Sequence, residues 1–117
     1  MDEIDICDEV VIMKAGEVLV KAGLDELRRR TPGRGRIVEV TLYSPIAGIA
    51  EKLESDNKIE KVIESGRILH IFTHEPNVME IGNKISSLGG VVEGSRMTTA
   101  DMRDLFIYYT DELPEDE

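Results

Sequence analysis

The sequence has a single cysteine, few aromatic residues and no long apolar run. There is no tryptophan, and the two phenylalanines and three tyrosines leave few side chains that could stack on nucleic-acid bases. Cys7 cannot form an internal disulfide, which agrees with a reducing compartment. No stretch approaches the ~20 apolar residues that cross a bilayer, and no basic start followed by an apolar run marks a signal peptide. We therefore expect a cytoplasmic chain without direct membrane insertion.

Positive charge is also scarce. Lysine and arginine number 14 against 24 acidic residues, so the formal net charge is −10. An acidic chain repels phosphate backbones, so we expect no nucleic-acid partner. Residues 113–117 are rich in acids and are predicted to be a solvated acidic tail. The hydrophobic content of 41% is typical of a globular protein.

The clearest boundary in the chain is Thr31-Pro32-Gly33-Arg34-Gly35, because proline ends a helix and glycine frees the backbone. We predict a linker at 32–35. Before it, the pattern predicts strands at 8–13 and 17–21 around a glycine turn, then a short helix at 25–30. A lone hairpin is marginal in water, so its apolar residues need a covering surface from the second segment or from outside this sequence. These residues are Val10, Ile12, Val18 and Val20.

The second segment alternates between strand and helix patterns. Val38, Val40 and Leu42 recur with the period of a half-buried strand. Further strands are predicted at 58–64, 67–73 and 91–97, with helices beginning at Ser44-Pro45 and Pro76-Asn77. The order is β-α-β-β-α-β, so we predict an α+β, ferredoxin-like domain. A C-terminal helix follows, with Asp101 as its N-cap and an apolar stripe of Met102, Leu105, Phe106 and Tyr109.

Residues 1–23, MDEIDICDEVVIMKAGEVLVKAG, resemble the segment after the switch histidine of ATP-binding cassettes. That family commonly shows H-x-M-x-E, C-D-R-[VI], an apolar strand, a glycine turn and a second strand. The matching positions are Met1, Glu3, Cys7, Asp8, Gly16 and the apolar runs 10–13 and 18–20. Glu9 replaces the usual basic residue, and 23–27 keeps only part of the G-T-P-E-E-L that often follows.

Residues 100–110, ADMRDLFIYYT, resemble the P-[ST]-L-E-D-V-F-L-x-L-T pattern that ends accessory domains of exporter-type ATP-binding subunits. Asp104, Phe106 and Thr110 match outright, and the apolar positions stay apolar. The two patterns stand in the family's order. The chain thus resembles the C-terminal part of an ABC exporter's ATP-binding subunit. The resemblance assigns 1–31 to the edge of the ATP-binding domain and 36–112 to an accessory domain.

The resemblance implies an accessory or regulatory role without ATP hydrolysis by this chain. The phosphate loop G-x-x-x-x-G-K-[ST], an LSGGQ-like signature and an Asp-Glu strand end are missing from the sequence, and the switch histidine would precede Met1. We assign no catalytic, cofactor-binding or metal-binding residue; ATP and Mg²⁺ would belong to the parent subunit. The implied partners are a transmembrane permease, which would hold the protein at the inner face of the membrane, and a second ATP-binding subunit. A homodimer is expected.

Other candidate residues have plainer interpretations. His70 and His74 lie four apart near Glu75, but two imidazoles are fewer than the ligands that Zn²⁺ takes, so we expect an edge histidine and a turn histidine. Cys7 has acidic neighbours that raise rather than lower a thiol pKa, so a buried apolar role is favoured. The basic cluster of Arg28, Arg29, Arg30, Arg34 and Arg36 could touch anionic lipid or a permease, although helix-end charge explains it more simply.

The β-α-β-β-α-β order also fits a different class, a freestanding ACT-like sensor of small molecules such as amino acids. In that hypothesis the loop 43–48 would receive a ligand carboxylate at a helix N-terminus. The sensor hypothesis leaves the hairpin before residue 32 unexplained. A small enzyme on the same fold has no supporting constellation of residues.

Overall fold

A computed structural model describes residues 9–112 of the chain. Its six strands are β1 (Val10–Lys14), β2 (Glu17–Ala22), β3 (Arg36–Leu42), β4 (Ile59–Ser65), β5 (Ile68–Thr73) and β6 (Val92–Thr99). Its α-helices are α1 (Leu24–Arg29), α2 (Ile49–Glu54), α3 (Val78–Ser87) and α4 (Met102–Thr110). Across residues 9–112, none of the helices combines the length and the apolar composition that crossing a bilayer requires.

The strands form two sheets. β1 and β2 pair with each other, and the other four strands form an antiparallel sheet in the order β4-β5-β3-β6. With α2 between β3 and β4 and α3 between β5 and β6, this is the split β-α-β arrangement. The predicted α+β, ferredoxin-like fold class is confirmed.

One face of the four-stranded sheet packs against α2 and α3. The alternation in β3 places Val38, Val40 and Leu42 on this face, and all three are buried. Ile49 of α2 and Ile85 of α3 close over them with no exposed surface. Asn77 begins α3 as predicted, because its Oδ1 accepts a hydrogen bond of 3.0 Å from the Glu80 amide.

The opposite face of the sheet carries the second core. Ile37 and Phe72 of the sheet lie against Ile12 of the hairpin, Leu27 of α1 and Leu105 of α4. The second segment therefore supplies the surface that the hairpin needs. Residues 32–35 form a short 3₁₀ turn in which the first and last residues are buried. The division of the chain at this turn stays a prediction, but the segments on either side of it share one core.

Hydrogen bonds fasten α1 and the 3₁₀ turn to α4 and to Ala100, which lies just before α4. The Tyr109 hydroxyl donates to the Leu27 carbonyl at 2.8 Å, and Arg28 Nε donates to the Ala100 carbonyl at 2.9 Å. The Ala100 amide in turn donates to the Gly35 carbonyl at 2.8 Å. These bonds span 65 residues or more of sequence, so they hold the first segment on the second segment.

The predicted start of α2 is wrong. Ser44-Pro45 lies in an irregular stretch, and the helix begins at Ile49 after Gly48 in the left-handed conformation (φ 75°). The Ile49 amide bonds back to the Ile46 carbonyl, so a turn occupies the place of the first predicted helical turn. Both isoleucines pack on the first core, which fixes this turn in preference to a Ser-Pro helix start.

Candidate functional site

The hairpin presents an apolar face to solvent. Val11, Met13, Val18 and Leu19 are each 46–56% exposed, while Ile12 between the first two is buried. We call these four exposed residues the hairpin face. Contiguous apolar side chains on a surface mark sites of interaction with another molecule. The hairpin face is therefore the first candidate site.

A β-bulge creates this cluster. Ile12 pairs with Val20, but Met13 pairs with Val18, so Leu19 is an extra residue on β2. Regular alternation would put Val18 on the same side as Val20 and bury both. The bulge instead turns Val18 outward beside Leu19. Ile12 and Val20 are buried as expected, whereas Val18 is 56% exposed, so the second segment does not supply its covering surface.

The turn of the hairpin is held at the end of α4. Ala15 and Gly16 have φ of 54° and 84°, which matches the type I′ turn that suits a two-residue hairpin connection. Lys14 Nζ donates to the Thr110 carbonyl at 2.9 Å and lies 4.0 Å from a carboxylate oxygen of Glu112. The hairpin face is thus carried by a hairpin that is fastened on its inner side and at its tip.

A charged network lies beneath α4, centred on His70. The His70 ring lies 2.8 Å from Asp104 through Nδ1 and 3.0 Å from Glu39 through Nε2. Arg96 Nε donates to the second Glu39 oxygen at 2.5 Å. Asp104 also closes a capping box with Asp101 at the start of α4, as the predicted N-cap requires. The network joins three strands to the N-terminus of α4.

The pKa values follow from this geometry. The hydrogen bond to Asp104, aided by that to Glu39, raises the pKa of His70 to about 9 despite partial burial. Burial opposes ionisation of Asp104, but hydrogen bonds from His70 and the Asp101 amide hold its pKa below the usual range. Hydrogen bonds from Arg96, and then from His70, lower the pKa of Glu39. At neutral pH both ring nitrogens of His70 donate, so the ring has no lone pair for a metal or for a general base.

This arrangement corrects the expectation for His70. It lies on β5, an inner strand of the sheet, and is not an edge histidine. His74 follows the strand in an exposed turn, as expected, with Nε2 3.3 Å from Glu60. Within residues 9–112, no three His, Cys, Asp or Glu side chains converge as a metal site. Sequence spacing could not identify the His70 partners, because they lie 31 and 34 residues away.

Stability should depend on pH through His70. Its folded pKa lies above the value of ~6.5 expected when unfolded, so its contribution is fully present below pH 6.5 and is lost as pH rises through about 9. We expect the free energy of unfolding to fall by roughly 2–3 kcal/mol between pH 6.5 and 9.5. Urea denaturation at both pH values measures this change. The variant His70→Gln should show a much smaller fall; an equal fall would contradict the assignment to His70.

Two further cavities carry polar groups. A cavity of about 210 Å³ beside the network is lined by His70, Glu39, Arg103 and Ser65 with two isoleucines. A cleft of about 310 Å³ between α3 and the start of β4 holds Lys58, Lys84 and three carboxylates. Lys58 lies 3.3 Å from Glu75, and Lys84 lies 3.0 Å from Asp56. The cleft therefore presents both signs of charge, already paired with each other.

The structure divides the predicted basic cluster. Arg28 lies over Gly35 and bonds to the Ala100 carbonyl, so it has a structural role. Arg29, Arg30, Arg34 and Arg36 border open cavities on the surface. The predicted sensor loop 43–48 leads into α2, which has only six residues and begins after Gly48. Several residues named from the sequence, Met1, Glu3, Cys7, Asp8 and the acidic run 113–117, lie outside the described residues.

No protein-family model, curated protein or solved structure matches this chain. The class of protein is therefore described from the fold and from the candidate site alone. The chain is a ferredoxin-like α+β protein whose second sheet face is covered by an added hairpin and two helices, and the hairpin has an apolar outer face.

Proposed function

We propose that the chain is the C-terminal accessory part of the ATP-binding subunit of an ABC-type exporter. It would contact the subunit's ATP-binding core and help to organise the subunit dimer or its contact with the permease. The chain itself would not hydrolyse ATP. The observation that carries this proposal is the hairpin face, because the hairpin is the segment that resembles the edge of an ATP-binding domain.

The hairpin is buried on one side and exposed on the other, as expected of an edge shared between two domains. Its inner residues Ile12 and Val20 belong to the core of the accessory fold. Its outer residues keep about half of their surface exposed, and covering the rest would stabilise an interface by roughly 1 kcal/mol per side chain. An ATP-binding core seated there would turn a marginal two-stranded sheet into the middle layer of a larger protein.

The coupling between this hairpin and α4 supports a regulatory role. Lys14 bonds to the end of α4, and α4 packs on the four-stranded sheet through Leu105 and Ile107. A partner that displaces the hairpin would therefore also displace α4. An accessory domain that makes different contacts in open and closed subunit dimers would bias the equilibrium between them.

The first test is the size and location of the native protein. Antibodies raised against this chain should detect a band much larger than 13.1 kDa that sediments with membranes. A band at 13.1 kDa in the soluble fraction would overturn the proposal, because there would be no parent ATP-binding subunit.

The hairpin face can then be tested in the parent subunit. The double variant Val11→Asp, Leu19→Asp should reduce ATP hydrolysis by the subunit severalfold, because charges would enter the interface with the ATP-binding core. Met79→Asp is the matched control, since Met79 is 75% exposed on α3, away from the hairpin. Equal activity of the two variants would exclude the hairpin face as that interface.

The cleft of about 310 Å³ favours a second candidate function, the small-molecule sensor. Lysine and carboxylate side chains in one cleft suit the opposite charges of an amino acid. The existing pairs Lys58–Glu75 and Lys84–Asp56 would have to open to admit it. A thermal-shift screen with the twenty amino acids would give a stabilising ligand if the sensor hypothesis holds, and no shift with any of them would remove it.

A further inference from the structure

Four arginines border a continuous groove on a chain that is otherwise acidic. One cavity of about 380 Å³ is bordered by Arg29, Arg30 and Tyr108, and a second of about 390 Å³ by Arg36 and Pro76. The two cavities share Gly33, Arg34 and His74, so they form one surface groove. We call it the arginine groove. It extends from the end of α1 to the start of β3.

The positive charge of the arginine groove is poorly neutralised. Among residues 9–112, Arg34 and Arg36 form no ion pair with an acidic side chain. Arg29 and Arg30 share one carboxylate, that of Glu26, at 2.6 and 3.0 Å. Most other cations among residues 9–112 have an acidic partner, as Lys84 has Asp56 and Arg67 has Glu93. In a chain of net charge −10, unpaired arginines clustered in one groove indicate an anionic partner.

The backbone holds Arg34 in an unfavourable conformation. Its φ and ψ are 55° and 45°, between Gly33 and Gly35, which are also left-handed. This conformation is strained for a residue with a side chain, whereas glycine adopts it freely. A Cβ on Gly35 would lie 2.7 Å from the Arg28 Cβ, so close packing fixes the turn. The fold thus keeps an arginine side chain at a position where the backbone alone favours glycine, and places it over the groove.

The shape and surroundings of the groove narrow the class of partner. It is an open channel along the surface and does not enclose a small ligand. Glu60 borders the groove, Glu26 pairs with Arg29, and the rest of the chain is strongly acidic. A nucleic acid or a broad anionic membrane would therefore meet repulsion beyond the groove. A short extended chain with several carboxylates fits within these limits. Arginine binds carboxylates through two parallel hydrogen bonds, which suits this pairing.

We propose that the arginine groove binds an acidic segment of a partner polypeptide, with carboxylates held by Arg34 and Arg36 and by the free donors of Arg29 and Arg30. This site is distinct from the hairpin face and does not depend on the proposed transporter function. Tyr108 lines one cavity of the groove and Pro76 lines the other, and both offer apolar contact to the backbone of such a segment.

Fluorescence anisotropy with labelled oligoglutamate peptides of two, four and eight residues tests the proposal. In low salt, we expect the eight-residue peptide to bind at least about tenfold more tightly than the two-residue peptide, because the groove contacts several carboxylates in sequence. Arg34→Gln with Arg36→Gln should weaken binding about tenfold or more. The charge-matched control is Lys52→Gln with Arg103→Gln, which removes two cations that also lack an acidic partner in 9–112 and should change affinity less than about twofold.

Four outcomes would overturn the proposal. The first is equal loss of binding in the two double variants, which would mean attraction to overall charge. The second is binding of inorganic phosphate as tight as that of the eight-residue peptide, which would define a small-anion site. The third is binding to phosphatidylserine vesicles but not to the peptides. The fourth is a sedimentation change with Arg34→Gln and Arg36→Gln alone, which would identify a second copy of this chain as the occupant.

Discussion

Replacing Phe72 by alanine is expected to lower the free energy of unfolding by about 3–5 kcal/mol. Phe72 has no exposed surface and lies in the core shared by the sheet, the hairpin, α1 and α4. Its ring also lies 4.8 Å from the Tyr108 ring, a contact that the smaller side chain removes. The void would open between the two segments of the chain, so the hairpin and the sheet should lose stability together.

Urea denaturation followed by far-ultraviolet circular dichroism measures this loss, and amide hydrogen exchange shows where it falls. Tyr43→Ala is the control, because Tyr43 is 62% exposed and should change stability by less than about 0.5 kcal/mol. If Phe72→Ala left the protection of β1 and β2 amides unchanged, the hairpin would be an independent unit. The shared core would then contribute little to holding the hairpin face in place.

Much of the fold was predictable because its signals are local. The alternation of Val38, Val40 and Leu42 identifies a buried strand face, and the turns and helix caps around it are encoded within a few residues. Asn77 and Asp101 each cap a helix through the amide three residues later, a spacing readable from sequence. Such features determine the order of strands and helices, and that order allows few topologies.

The features that were missed or mispredicted depend on contacts distant in sequence. The bulge that exposes Val18 arises from the register of two strands and leaves no mark in the alternation of β2. The start of α2 is displaced because Ile46 and Ile49 pack on a core assembled from other elements. His70 could be identified as a candidate residue, but not as the centre of a network, because Glu39 and Asp104 come from other elements.

For the candidate sites too, the sequence identified residue types, but contacts distant in sequence determine which of them are exposed. The basic cluster was visible in the sequence, yet only the fold separates Arg28, which braces α1, from Arg34 and Arg36 in the arginine groove. His74 reaches that groove from the end of β5, 40 residues beyond Arg34. The hairpin face could likewise be identified only from the structure, which shows that the inner side of the hairpin is already covered. A pattern can identify residue types for a surface, whereas exposure and pairing decide which of them remain free to bind.

Asp104→Ala should have the second large effect on stability, about 3 kcal/mol at neutral pH. The Asp104 side chain is 3% exposed and accepts hydrogen bonds from His70 and from the Asp101 amide. Its removal leaves a protonated imidazole with one carboxylate, Glu39, and leaves the capping amide without its acceptor. In the unmodified chain the Asp104 carboxylate also raises the pKa of His70. Without it, the free energy of unfolding should fall less between pH 6.5 and 9.5.

Asp101→Ala separates the network from the helix cap, since both residues belong to one capping box. Asp101 is exposed and accepts only from the Asp104 amide among the described contacts of its side chain, so its loss should cost about 1 kcal/mol and leave the pH dependence unchanged. The stability cost of Asp104→Asn should lie between those of Asp101→Ala and Asp104→Ala, because an amide can still accept a hydrogen bond but carries no charge. Equal costs for Asp101→Ala and Asp104→Ala, with the same pH dependence, would show that capping alone stabilises α4. A larger, pH-dependent cost for Asp104 would instead mean that the buried charge network holds α4, and with it the hairpin, on the sheet.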